Sequence, residues 1–176
     1  MRSLPLLAAL LMSSAASAQS PYAGMQTRGI KALSDTQIAD LQAGRGMGLA
    51  LPAELNGYPG PLHVLELADK IGLSAEQRGK VRQLFDSMKA EAVAVGEKLI
   101  EQEAELDRQF SGRTITPEML KSLTAQIAGT QGQLRETHLK YHLSTVALLD
   151  PQQIARYTQL RGYAGPAPAG HHTGHH

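Results

Sequence analysis

From Ala75 to about Phe110 no proline interrupts a seam of apolar residues. Val81, Phe85, Met88, Ala92, Val95, Leu99 and Leu106 follow steps of four and three, and Gln102 fills the one polar slot. A heptad seam of this kind predicts a long helix lying along another at a shallow angle. At 1.5 Å per residue such a helix is about 50 Å long, too long to be buried all round in a domain of this size. Ser111-Gly112-Arg113 predicts a turn, and Pro117 to Leu148 predicts the return helix. Leu120, Leu123, Ile127, Thr130, Leu134, Tyr141, Thr145 and Leu148 give it a matching, more polar seam. The expected fold class is therefore all-α: a long antiparallel helical hairpin with short flanking helices. An open hairpin has two broad faces and cannot hide both, so an elongated homodimer is the expected remedy.

Three short phrases mark where helices start. Leu33-Ser34-Asp35-Thr36-Gln37, Leu73-Ser74-Ala75-Glu76-Gln77 and Leu149-Asp150-Pro151-Gln152-Gln153 each put a side-chain oxygen at the cap and Gln three residues later. That is a capping box, in which two side chains reciprocally satisfy backbone groups left free at a helix start. The preceding leucine suits a hydrophobic staple, and Pro151 suits the first helical position. Thr116-Pro117 predicts another start, and the last helix is expected to run to about Leu160. Leu62 to Ile71 fits a brief helix, with Val64, Leu67, Ala68 and Ile71 on one face and Gly72 as its stop.

Elsewhere the pattern breaks. Residues 19–61 read as a flexible arm followed by a Gly/Pro-rich segment, with eight Gly or Pro residues between Gly44 and Pro61 and room for a short helix at Leu49 to Leu55. Its Met47, Leu49, Leu51 and Leu55 are candidates to cover the open face of the hairpin. Residues 62–163 form the expected helical domain. Residues 164–176 are Gly, Pro, Ala and His with one Thr, a composition that predicts disorder.

The beginning of the chain changes the picture most. Arg2, an apolar stretch from Leu4 to Met12 and the exit Ala16-Ser17-Ala18 read as a signal peptide, residues 1–18, cleaved before Gln19. The stretch is short of the roughly 20 residues a spanning helix needs, so an exported, periplasmic protein without stable membrane insertion is expected. There is no Cys, which excludes disulfides, thiolate metal sites and thiol nucleophiles. Once Arg2 is removed, acidic and basic residues balance, and there is no Trp; nucleic-acid binding is not expected.

No enzyme constellation is evident, and the protein is expected not to be an enzyme. Gly44-Arg45-Gly46-Met47-Gly48 is glycine-rich but lacks the strand–turn–helix setting of a phosphate loop. Glu101, Glu103 and Glu105 read as a solvated charged face rather than as acid–base catalysts.

Histidine is the informative residue type. His138 and His142, one helical turn apart, fall within the apolar arc of the return helix. Buried imidazoles need partners, which are either a metal ion or hydrogen bonds in the core. The hairpin brings the end of the return helix beside the short helix carrying His63 and Glu66. His63, Glu66, His138 and His142 are thus a candidate N/O site for Zn, Ni, Co or Cu, with solvent-facing His63 and Glu66 as the alternative. The tail residues His171, His172, His175 and His176 form a second candidate, able to capture transition metals with little geometric selection. The alternative there is a purification tag, against which the interrupting Thr173-Gly174 argues. A metal is a possible modulator here, and no cofactor is required.

The phrases Leu73 to Gln77 and Leu149 to Gln153, flanking a long hairpin in an exported chain, resemble the LTxxQ family over roughly Leu62 to Tyr163. That family includes Spy/CpxP-type periplasmic chaperones and CnrX-like heavy-metal sensors. The resemblance implies curved helical dimers that hold unfolded clients without ATP. For the sensor branch it implies metal binding through His, Glu and sometimes Met, with an envelope signalling partner. Two departures stand out. The mature chain is neutral where the chaperone branch has a basic concave face, and only His63 occupies the region where the sensor branch carries paired histidines.

Overall fold

The computed structural model describes residues 20–164, all-helical apart from turns and loops. The expected signal peptide and the tail histidines His171, His172, His175 and His176 lie outside the described residues. Six α-helices follow a short 3-10 turn at Met25–Thr27: α1 (Asp35–Gln42), α2 (Leu51–Glu54), α3 (Pro61–Glu66), α4 (Ala75–Ser111), α5 (Pro117–Val146) and α6 (Pro151–Leu160). The hairpin of α4 and α5 is the frame, as the seams predict. Ala92, Val95, Leu99, Ile127 and Leu134 are buried at its centre. Among the described residues no helix is long and apolar enough to cross a membrane.

The three capping boxes form as expected, with Ser34, Ser74 and Asp150 each accepting from the backbone of the glutamine three residues on. Two of them do more. The side chains of Gln77 and Gln153 meet at 3.0 Å, Gln77 donates to the Leu148 carbonyl, and Gln153 donates to the Gly72 carbonyl. The starts of α4 and α6 are thereby tied to each other and to the end of the hairpin. Beneath them lies a second apolar cluster of Val64, Ile71, Val81, Leu149 and Tyr157.

The main correction concerns residues 19–61. Residues 33–61, expected as short helices and a Gly/Pro-rich segment ahead of a helical domain that starts at Leu62, are part of the packed body. Leu33 and Leu41 are buried in the central core, with Ile38 and Leu49 packed against it. The reason is a close approach that the sequence pattern hides. Helix α1 crosses α4 at Gly96, where a methyl group would lie 2.7 Å from the Leu41 carbonyl oxygen. Gly44 then reverses the chain with φ +65°, and any side chain there would meet the Lys89 carbonyl at 3.0 Å. The packed domain therefore begins near Ile30 instead of at Leu62.

Smaller differences follow from the same geometry. Of the four residues expected to cover the hairpin, only Leu49 packs inward, while Met47, Leu51 and Leu55 are exposed. The helix expected over Leu62 to Ile71 stops at Glu66 and continues as turns into Gly72. At the far tip of the hairpin Leu120 and Phe110 are exposed, since no third element among the described residues reaches them. Glu103, read as part of a charged face, is buried, and desolvation pushes its carboxyl above the ordinary range.

Candidate functional site

The elements around the closed end of the domain enclose a cavity of about 450 Å³. Its walls come from the Gly44–Leu51 loop, the start of α3, the Phe85–Lys89 stretch of α4 and the His138–His142 turn of α5. His138, His142 and His63 all line it, so the histidines singled out by spacing do share one space. Glu66 does not. It pairs with His63 Nδ1 at 2.9 Å on the exposed side of α3. Among the described residues no group of three or more His, Asp or Glu is gathered to hold a metal ion. The four-residue cluster expected from the sequence is not assembled, because the short carboxylate arm of Glu66 points along its own helix.

The two buried histidines differ in their surroundings. His142 donates from Nδ1 to the Tyr58 carbonyl at 2.6 Å, a carbonyl being able only to accept. The Cα of Gly60 lies against this ring, and a methyl group there would be 2.8 Å from Cε1 and Nε2. His138 is only 3% exposed and neither of its ring nitrogens has a hydrogen-bond partner among the described residues. Burial, with a smaller contribution from the neighbouring His142, holds its pKa below the usual imidazole value. Its charged form is thereby disfavoured. Its Nε2 is sealed off, whereas its Nδ1 edge is the part nearest Gly46 in the cavity wall, at 3.8 Å from a methyl group built there.

The residue that spacing arguments missed is Glu54. It is 7% exposed and sits at the end of α2, where its carboxylate gathers four groups. Tyr157 donates its phenol to Oε1, the Gly60 N–H donates to Oε2 at 3.2 Å, Arg161 Nε lies 3.6 Å from Oε1, and His142 Nδ1 lies 3.8 Å from Oε2. Burial and this bond push the Tyr157 phenol far up, so it stays protonated and donates. A buried carboxylate with this many neighbouring donors is held in place. The signal for it was present but weak, as a single acid between Leu51 and Leu55 in a segment too rich in Gly and Pro to show a period.

No family model matches the sequence, and neither the curated proteins nor the solved structures compared with it give a match.

Proposed function

We propose that the chain is an exported, non-enzymatic stress protein of the periplasm that holds unfolded clients without ATP and works as an elongated homodimer. The observation that carries this reading is a run of exposed apolar side chains on one short stretch. Met47, Leu51, Leu55, Tyr58 and Leu62 are each at least 40% exposed, although the backbone between them is firmly anchored through Glu54 and Leu49. Clustered apolar exposure on an ordered support suits the capture of apolar segments from other chains. The contact between Gln77 and Gln153 supports the LTxxQ resemblance, since it gives the two repeated phrases one shared structural task. The test is suppression of aggregation of a heat-unfolded client. Suppression is expected near stoichiometric ratio and is expected to weaken in the Leu51→Ser, Leu55→Ser double variant. No suppression at several-fold excess removes the reading. Light scattering reports the dimer.

One observation favours a second reading, a heavy-metal sensor or buffer: His63, His138 and His142 line one cavity, and His138 Nε2 has no hydrogen-bond partner among the described residues. Calorimetric titration with Zn, Ni, Co and Cu tests it on a version whose four tail histidines are replaced by Gln. Binding no tighter than about millimolar, or binding that survives His138→Ala with His142→Ala, discards it.

A further inference from the structure

The cavity has a chemical polarity that neither client capture nor metal capture uses. One wall is apolar, made by Leu51, Leu62, Phe85 and Met88. The charged groups bordering it are Arg45, Lys89, Arg161 and a single carboxylate, Glu54. That carboxylate is already saturated by Tyr157, Gly60 and Arg161, and Arg45 is paired with Asp40 at 2.5 Å. Lys89 has no carboxylate partner among the described residues. The cavity is thus apolar with a net positive border.

His138 supplies the second, independent observation. Its Nε2 is sealed without a partner. An enclosed N–H left unpaired costs more than an enclosed lone pair, so the sealed Nε2 is the bare nitrogen and Nδ1 carries a ring proton. Nδ1 is the edge beside Gly46 in the cavity wall, and no group among the described residues accepts from it. A donor that opens on a cavity without a protein acceptor is the feature that an anionic or carbonyl ligand atom would satisfy.

We propose that this cavity binds a small amphiphilic carboxylate. Its apolar tail lies against Leu51, Leu62, Phe85 and Met88, and its head group takes the His138 proton donor and the Lys89 ammonium. A volume of about 450 Å³ suits a medium-length acyl chain and falls within the usual range of small-molecule sites. The assignment shares Leu51 and Leu62 with the client surface, so it is tested at Lys89 and Gly46, which lie outside that set of exposed apolar residues.

The test is calorimetric titration of the full chain with decanoate below its micelle concentration, with EDTA present so that no metal occupies the histidines. Decanol and decyltrimethylammonium serve as head-group controls. Decanoate is expected to bind at one saturable site, about tenfold or more tighter than either control. Lys89→Glu is expected to weaken it by a similar factor. Gly46→Leu is expected to abolish it, because Gly46 has a negative φ that accepts a side chain, and that side chain would fill the space before His138 Nδ1. Circular dichroism checks that both variants remain folded. Equal affinity for decanoate and either control overturns the proposal, as does absence of saturable binding or undiminished binding by a folded Gly46→Leu variant. Loss of aggregation suppression with intact decanoate binding would instead count only against the client reading.

Discussion

The phenol of Tyr157 on α6 donates to Glu54 on α2 across 103 residues of sequence, and the two side chains are buried together. This bond joins the last helix of the described chain to the segment that forms the outer wall of the cavity. Removing the donor leaves a buried carboxylate short of its best partner, while Gly60 and Arg161 remain. Tyr157→Phe is therefore expected to cost about 1.5–3 kcal/mol, the range for hydrogen bonds to charged groups. Glu54→Gln, which keeps an acceptor, is expected to cost less. Urea unfolding measures both. Limited proteolysis should find the bonds between Gly44 and Pro61 cut faster in Tyr157→Phe. Equal stabilities for wild type and Tyr157→Phe would show that the bond contributes nothing net.

Two glycines in the same long helix are expected to respond in opposite directions. Gly79 has open space around it, so Gly79→Ala gains helix propensity and is expected to stabilise by about 0.5–1 kcal/mol. Gly96 gains the same propensity, but the new methyl would sit 2.7 Å from the Leu41 carbonyl oxygen, a backbone atom that cannot rotate away. Gly96→Ala must push α1 off α4, and the expected net cost is about 1–3 kcal/mol. Thermal midpoints of the two variants, compared with wild type, decide the matter.

Gly96 also explains what could be read from the sequence and what could not. The hairpin was legible because its seams repeat over many turns, and the helix starts were legible because capping boxes are local chemistry. The docking of residues 33–61 was not, since it depends on one small residue in α4 meeting one carbonyl of α1, and pattern reading counts Gly96 only as a weak point in a helix. The site follows the same division. His138 and His142 showed as neighbours by helical spacing. Glu54 did not, because its partners Tyr157, Gly60 and Arg161 come from three places in the chain, two of them more than 100 residues away. His63 and Glu66 pair with each other on α3, which turns Glu66 toward His63 and solvent.

His138 gives the domain an acid sensitivity with a definite sign. Its folded pKa is depressed by burial and by His142, whereas in the unfolded chain it returns to about 6.5. Below that value the unfolded state binds a proton that the folded state does not, so stability falls as pH drops through about 6.5 and is fully present above it. The expected observation is a loss of stability between about pH 7 and pH 5 that shrinks in His138→Gln. Urea midpoints at the two pH values provide the measurement. An unchanged difference in the variant would place the proton uptake elsewhere.

The interlocked caps predict a coupling that an isolated cap lacks. Gln37, in the box that starts α1, bonds only within its own phrase, so Gln37→Ala is expected to cost about 0.5–1 kcal/mol, the lower part of the range for a lost cap. Gln77 and Gln153 each cap a helix and also reach the other, along with the carbonyls of Leu148 and Gly72. Those carbonyls lie at a half-buried junction, so losing either amide leaves acceptors that water reaches poorly. Each single change to Ala is expected to cost about 1–2 kcal/mol. The double variant is expected to cost less than the sum, by about 0.5–1.5 kcal/mol, because the bond between the two side chains is lost only once. A double-mutant cycle by urea unfolding reads this directly. Strict additivity would mean that the two capped phrases act separately and that their meeting contributes nothing to holding α6 on the hairpin.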